Sequence, residues 1–276
     1  MENKITAVEM KTALIRSGYL LENKVANILR KKRLIYITTN DVFKDPETSK
    51  SREIDIQAYT MKELLYRPGC TINIHYIIEV INNTQPVSFI VTKDSSTYIL
   101  PNIKYIADFP KSDKLHYDVI TGNLALEYNS ANSREASLQY CSYTTKKSGN
   151  NKNEWMAFHP EDLHETFKKL LYVTDINNDK HLGVAKERKN LYGCYIQPVL
   201  VLKDDLYKIS VCKNNVKFIK TNLLHFIFNY IYNGKQSSIV IDVITEKYIS
   251  KYINNMDKNI EYIKSHMDNL VIMTKK

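Results

Sequence analysis

The chain has 276 residues, 43% of them hydrophobic, and a formal net charge of +9 from 39 Lys and Arg against 30 Asp and Glu. That is enough apolar material for one large domain or two small ones, and it excludes an intrinsically disordered chain. The basic balance favours polyanionic partners such as nucleic acid, although the excess is spread along the chain and the many Asn, Lys, Ile and Tyr residues fit an A/T-rich coding bias.

The first residues, MENKITAVEMKTALIRSGYLL, carry acids and no uninterrupted apolar run, so they do not read as a signal peptide. Val8 to about Arg33 shows apolar residues at helical spacing, which predicts one long helix or two short ones meeting near Gly18. LIYITTNDVF reads as a strand, and SREIDIQAYT as another, with Ile54 and Ile56 on one face and Glu53, Asp55 and Gln57 on the other. INIHYIIEVI is a third strand, and VSFIVT, after the Pro86 break, is either a strand or the run into a helix. Lys93 to Ser130 reads as loop with room for a short hairpin. A helix is expected around Ser133–Ser142, followed by a basic loop, TTKKSGNNKN. HPEDLHETFKKLLYVTDI has proline at a helix start and Leu163, Phe167, Leu170 and Leu171 on one stripe.

In the last third, YIQPVLVLKDDLYKISV reads as two strands joined at Lys203-Asp204-Asp205, and LLHFIFNYIYNGKQSSIVIDVIT as two more joined through Asn233-Gly234. Glu246 to about Met267 repeats Ile249, Tyr252, Ile253, Met256, Ile260, Ile263 and Met267 on one helical face. The longest apolar run, LLHFIFNYIY, is interrupted by His225 and Asn229 and falls short of the roughly 20 residues a spanning helix needs, so no membrane partner is expected. Cys70, Cys141, Cys194 and Cys212 are far apart and form no C-x-x-C pair, which supports neither a zinc knuckle nor a disulfide scaffold and suits reduced thiols in a cytoplasm. The fold class expected is α/β (α+β): a central mixed sheet flanked by helices over residues 1–180, and a strand-rich extension of two β-hairpins ending in a helix over 181–276, packed on the core.

The chemistry concentrates in three acids. Asp55 in EIDIQ and Glu79 in IIEVI each have apolar neighbours on both sides, so their carboxylates sit at the edge of packed structure, where a charge is costly unless paired. A shared Mg²⁺ or Mn²⁺ satisfies both, since hard oxygen donors are the company such ions keep. Glu22, from the preceding helix, is placed to orient a water or hold a second ion.

This helix-Glu, strand-Asp, strand-Glu order, carried by SREIDIQAYT and IIEVINNTQP over about residues 15–145, resembles the PD-(D/E)XK (restriction-endonuclease-like) nuclease superfamily. The resemblance implies Asp55 and Glu79 as metal ligands, Glu22 as the helix acid and Gln57 as a helper at the ion's water. It also implies divalent-metal-dependent phosphodiester hydrolysis, of DNA in preference to RNA. The motif lysine, which stabilises charge on the phosphate, is replaced by Ile81. Three readings stand: the lysine has migrated, with Lys93, Lys50, Arg52 and Lys24 as candidates; the protein is an inactive pseudo-nuclease that binds nucleic acid or a protein; or the acids are ordinary surface residues.

Gln139 and Tyr143 show the Q-x-x-x-Y spacing that one branch of these nucleases carries on a helix against the substrate strand. With Arg134, Lys146 and Lys147 nearby, and Tyr140 and Trp155 as stacking surfaces, they form a candidate nucleic-acid site; the alternative is a solvated basic loop with Trp155 anchored in the core. The C-terminal elements are expected to shape the substrate channel or a homodimer contact.

Overall fold

The computed structural model describes residues 4–32, 36–63, 65, 71–92, 103–106, 136–147, 153–187, 192–212, 215–232 and 234–273. Among them are four helices and one extended mixed sheet. The N-terminal periodic stretch is two helices, α1 (Ala7–Ser17) and α2 (Tyr19–Lys31), because Gly18 at φ 93 takes the left-handed conformation that ends the first. Thr6 and Glu9 form a capping box at the start of α1. Strands β1 (Tyr36–Lys44), β2 (Ser51–Glu63) and β3 (Thr71–Ile81) form an antiparallel meander. The turn between β1 and β2 is set by Asp45, whose buried carboxylate accepts the Glu47 and Thr48 N–H groups at 2.8 and 2.9 Å and pairs with Arg52 at 2.5 Å. We expect Asp45→Ala to cost about 3 kcal/mol in urea unfolding, because Arg52 and two N–H groups lose their acceptor together.

Beyond β3 come β4 (Val87–Thr92), β5 (Ile103–Ile106), β6 (Ala136–Lys147) and β7 (Asn153–Phe158). Next is the long helix α3 (Glu161–Glu187), whose Leu163, Phe167, Leu170 and Leu171 are all buried, as their spacing predicts. Strands β8 (Tyr192–Leu202), β9 (Leu206–Cys212), β10 (Asn215–Thr221), β11 (Leu223–Tyr232) and β12 (Lys235–Thr245) follow. A 3-10 turn at Glu246–Tyr248 then leads into α4 (Ile249–Met273). None of these helices is long and apolar enough to cross a membrane.

Strand order is β1-β2-β3-β8-β12-β11-β6-β4-β9-β10, with β5 on β8 and β7 on β6. Strand β8 runs parallel to β3 after the α3 crossover, so the 180/181 boundary falls inside α3 and both parts of the chain share one sheet. The sheet separates two cores. One holds α2 and α4 against Ile56, Ala58, Ile78 and Val80; the other wraps β3, β4, β6, β8, β9, β11 and β12 around α3.

Three expectations are corrected. Ser133–Ser142 is not a helix where it is described: from Ala136 the chain is β6, because Ala136, Ser137 and Tyr140 must alternate into a sheet edge beside β4. The basic segment is not simply a loop, since Thr144–Lys147 ends β6 and Asn153 starts β7. Lys203-Asp204-Asp205 joins two strands but not a hairpin: β3 and β8 end together, turn a corner, and continue as the parallel pair β4 and β9. The corner is tied by Lys203 N–H to the Ile81 carbonyl (3.0 Å) and Asp204 N–H to Asn83 Oδ1 (3.1 Å).

Candidate active site

Strands β2 and β3 pair residue for residue as far as Ile56↔Ile78, and there the ladder gives way to side chains. Instead of a backbone pair at the next position, the Asp55 carboxylate accepts the Val80 N–H at 2.7 Å and the Glu79 carboxylate accepts the Asp55 N–H at 3.4 Å. The two acids hold the parting strands by each other's backbone. The alternation expected for β2 fails at this point: Ile56 and Ala58 enter the α2/α4 core, while Ile54 enters the α3 core. The strand therefore changes the side it presents across Asp55, which lets a carboxylate between two core isoleucines emerge at a junction between layers.

Glu22 lies in the first turn of α2, where the helix dipole favours an acid. The charges that act on it are those of Asp55, Lys169 and Glu53, so the helix acid feels the strand acid Asp55. Crowding shows in their acidity. Burial and the Asp55 charge push Glu79, 3% exposed, up to about 8, against the opposing pull of Lys169. Asp55 is raised by burial, although the Val80 N–H opposes this, and Glu22 by burial and by Asp55.

The cation among them is Lys169, which sequence reasoning did not single out. It projects from α3, forms an ion pair with Glu79, and its Nζ also donates to the Glu53 carbonyl at 3.3 Å. The four cations considered from sequence go elsewhere or are undescribed. Lys24 pairs with Glu246, Arg52 is held by Asp45 and Glu165, Lys50 is exposed in the β1–β2 turn, and Lys93 lies outside the described residues. The one available signal for Lys169 was helical arithmetic: it follows Glu165 by four residues, on a face distinct from the buried Leu170 and Leu171. That places it over the sheet only once α3 is known to cross β3. Ile81 shares Glu79's side of β3 and packs against the α3 core.

Gln57 does not turn to the acids. Its amide nitrogen donates to Asp41, and its Oε1 lies 2.8 Å from His75 Nε2 and accepts from Asn177 at 3.3 Å; His75 Nδ1 in turn meets His181 at 3.2 Å. Since the Gln57 oxygen can only accept, His75 carries its proton on Nε2 and receives one from His181 through Nδ1. Burial keeps both histidines below the usual imidazole range, and thus neutral. Asn177 and His181 follow Lys169 at eight and twelve residues along one stripe of α3, so this polar seam extends the acidic site along the same helix.

Of the proposed substrate contacts, Arg134 lies outside the described residues, and the others sit on β6. Gln139 is exposed, the Tyr143 hydroxyl donates to Ser88 Oγ at 2.9 Å, Lys146 is exposed, and Lys147 ends the strand. Trp155 is 64% exposed on β7, which overturns its alternative role as a core anchor.

Among the described residues no three His, Cys, Asp or Glu side chains are gathered closely enough to hold a metal ion by themselves. Asp55 and Glu79 nonetheless offer two hard oxygen donors, both held as weaker acids than usual chiefly by burial, and two is as many carboxylates as a hard divalent ion such as Mg²⁺ commonly takes from protein. Comparison with known proteins assigns no family: no family model matches the sequence, and no curated protein or solved structure matches the chain.

Proposed function

We propose that the protein is a divalent-metal-dependent nuclease that hydrolyses phosphodiester bonds, of DNA in preference to RNA, on a restriction-endonuclease-like core. The observation that carries this reading is Lys169, an ammonium delivered by α3 to the Asp55–Glu79 pair, which supplies the positive charge that Ile81 lacks. Asp55 and Glu79 are the residues that would hold Mg²⁺ or Mn²⁺; when bound, such an ion polarises the phosphate and acidifies water. Lys169 neutralises charge developing on the phosphate oxygens. With Asp55 and Glu79 committed to the ion, Glu22 on α2 is the remaining carboxylate of the group and would orient the attacking water.

A second reading, a pseudo-nuclease that binds without cleaving, is favoured by the fact that Lys169 already neutralises Glu79. Circular single-stranded DNA and plasmid DNA incubated with Mg²⁺ or Mn²⁺ separate the two. Cleavage that EDTA and Asp55→Ala abolish is the expected result; intact DNA under every divalent ion tried overturns the nuclease and leaves the binding module.

A further inference from the structure

The two carboxylates assigned to a divalent ion have three of their four oxygens engaged. Asp55 Oδ2 accepts the Val80 N–H at 2.7 Å, Glu79 Oε1 accepts the Asp55 N–H at 3.4 Å, and Glu79 Oε2 is held by the Lys169 ammonium. The two backbone bonds are compatible with a metal ion on the same side chains, because a carboxylate has about four lone-pair sites to offer. The third bond differs in kind, since it brings a full positive charge. That charge acts on all three acids: Lys169 opposes the effect of burial at Glu79, Asp55 and Glu22 alike. The ammonium therefore stands where the field of the acids converges, which is the place a divalent ion seeks for the same reason.

Two cations that share one carboxylate lie close together, and Glu79, buried against the α3 core, has little water with which to screen their repulsion. One has to leave as the other arrives. Lys169 has the means to leave. Its side chain is 22% exposed, its second bond, to the Glu53 carbonyl, is long at 3.3 Å, and Glu165, four residues back on α3, offers the ammonium an ordinary i,i+4 partner. The adjacent Lys168 lacks this freedom: Glu47 at 2.8 Å and Glu165 at 3.1 Å hold its ammonium over the Tyr230 ring.

We propose that Lys169 regulates metal loading of the site: the ammonium and the divalent ion exclude each other at Glu79, so that the ion enters as the lysine swings off the carboxylate, and the released ammonium becomes available to a phosphate. The inference rests on the assignment of a divalent ion to Asp55 and Glu79, but not on cleavage. Pulsed acetylation of amines at mildly alkaline pH, read by peptide mass spectrometry, follows Lys169 directly, because an amine freed from a half-buried ion pair reacts faster than one held in it. Saturating Mg²⁺ at constant ionic strength should raise the labelling rate of Lys169 several-fold and leave Lys168, the internal standard on the same turn of helix, unchanged. Asp55→Asn, whose side-chain oxygen can still accept the Val80 N–H, should show no response. A parent protein whose melting temperature rises with Mg²⁺ while Lys169 labelling stays flat or falls would overturn the exclusion and leave the ion bound beside the lysine. Equal rises at Lys168 and Lys169, or in parent and Asp55→Asn, would overturn it as well. Indifference of both melting temperature and labelling to Mg²⁺ removes the ion from Asp55 and Glu79, and the exclusion with it. A Lys169 response as described, without DNA cleavage, overturns the nuclease alone.

Discussion

Replacing Lys169 by Met is expected to lower the rate of metal-dependent DNA cleavage by about 100- to 1,000-fold while leaving the protein folded. The size follows from removing the one preorganised cation that α3 brings to Glu79, where negative charge builds on a phosphate held by the two acids. Tolerance of the change follows from Glu79 itself. Burial has already raised its carboxyl to about 8, so at neutral pH a carboxyl deprived of its lysine keeps its proton instead of standing as an uncompensated buried charge. Methionine retains most of the lysine stem, which is only 22% exposed, so packing between α3 and β2 is conserved. Ile81→Lys in the Lys169→Met background supplies a cation from Glu79's own strand face, and recovery of a large part of the lost rate is the expected result. Ile81 packs only at the margin of the α3 core, so a longer flexible side chain can be accepted there. A Lys169→Met protein that cleaves at the parental rate would show that this lysine is a counter-ion to Glu79 and nothing more.

The placement of the three acids on their elements was legible in the sequence because those elements obey local rules. Glu22 follows a glycine hinge in an amphipathic helix, and Asp55 and Glu79 interrupt apolar strands where a carboxylate needs a reason. Elements with long, regular periodicity were read correctly: both N-terminal helices, the three strands of the first meander, α3 and α4. What stayed hidden depends on contacts between distant segments. Lys169 is one lysine among many until the crossover of α3 from β7 to β8 lays it over β3. Gln57 looked like a neighbour of Asp55, which it is along the strand, but Asp41, His75 and Asn177 claim its amide. SREASLQYCS has good helix formers and a helical rhythm, yet pairing with β4 decided its fate, as tertiary context overrides propensity in short segments. The corner at Lys203–Asp205 has the composition of a hairpin turn, and no local signal says that its two strands will follow β3 and β4 instead of each other.

Glu79→Gln is expected to make the metal-free protein more stable at pH 8 and to change it little at pH 5. In the unfolded chain this carboxyl titrates near 4.3; in the folded protein it is pushed up to about 8. Between those values the folded state binds a proton that the unfolded state has released, so stability falls as pH rises through the window, by up to a few kcal/mol in total. Asp55 and Glu22 are raised by burial and act with the same sign. Asp45, Glu47 and Glu165 act oppositely. Their hydrogen bonds and the charges of Arg52 and Lys168 hold them low despite burial, so their contribution is present above the usual carboxylate range and is lost in acid. The parent should therefore be most stable near pH 5 and lose stability on both sides, with the alkaline loss arising at the three acids. A divalent ion held by Asp55 and Glu79 reverses that loss, because it favours their charged forms. Mg²⁺ should raise the melting temperature of the parent at pH 8, and much less at pH 5, whereas Glu79→Gln should respond weakly at both. Parallel pH profiles for parent and Glu79→Gln would mean that Glu79 titrates as an ordinary carboxylate. A melting temperature indifferent to Mg²⁺ at pH 8 would remove the ion from the site while leaving Lys169 as its cation.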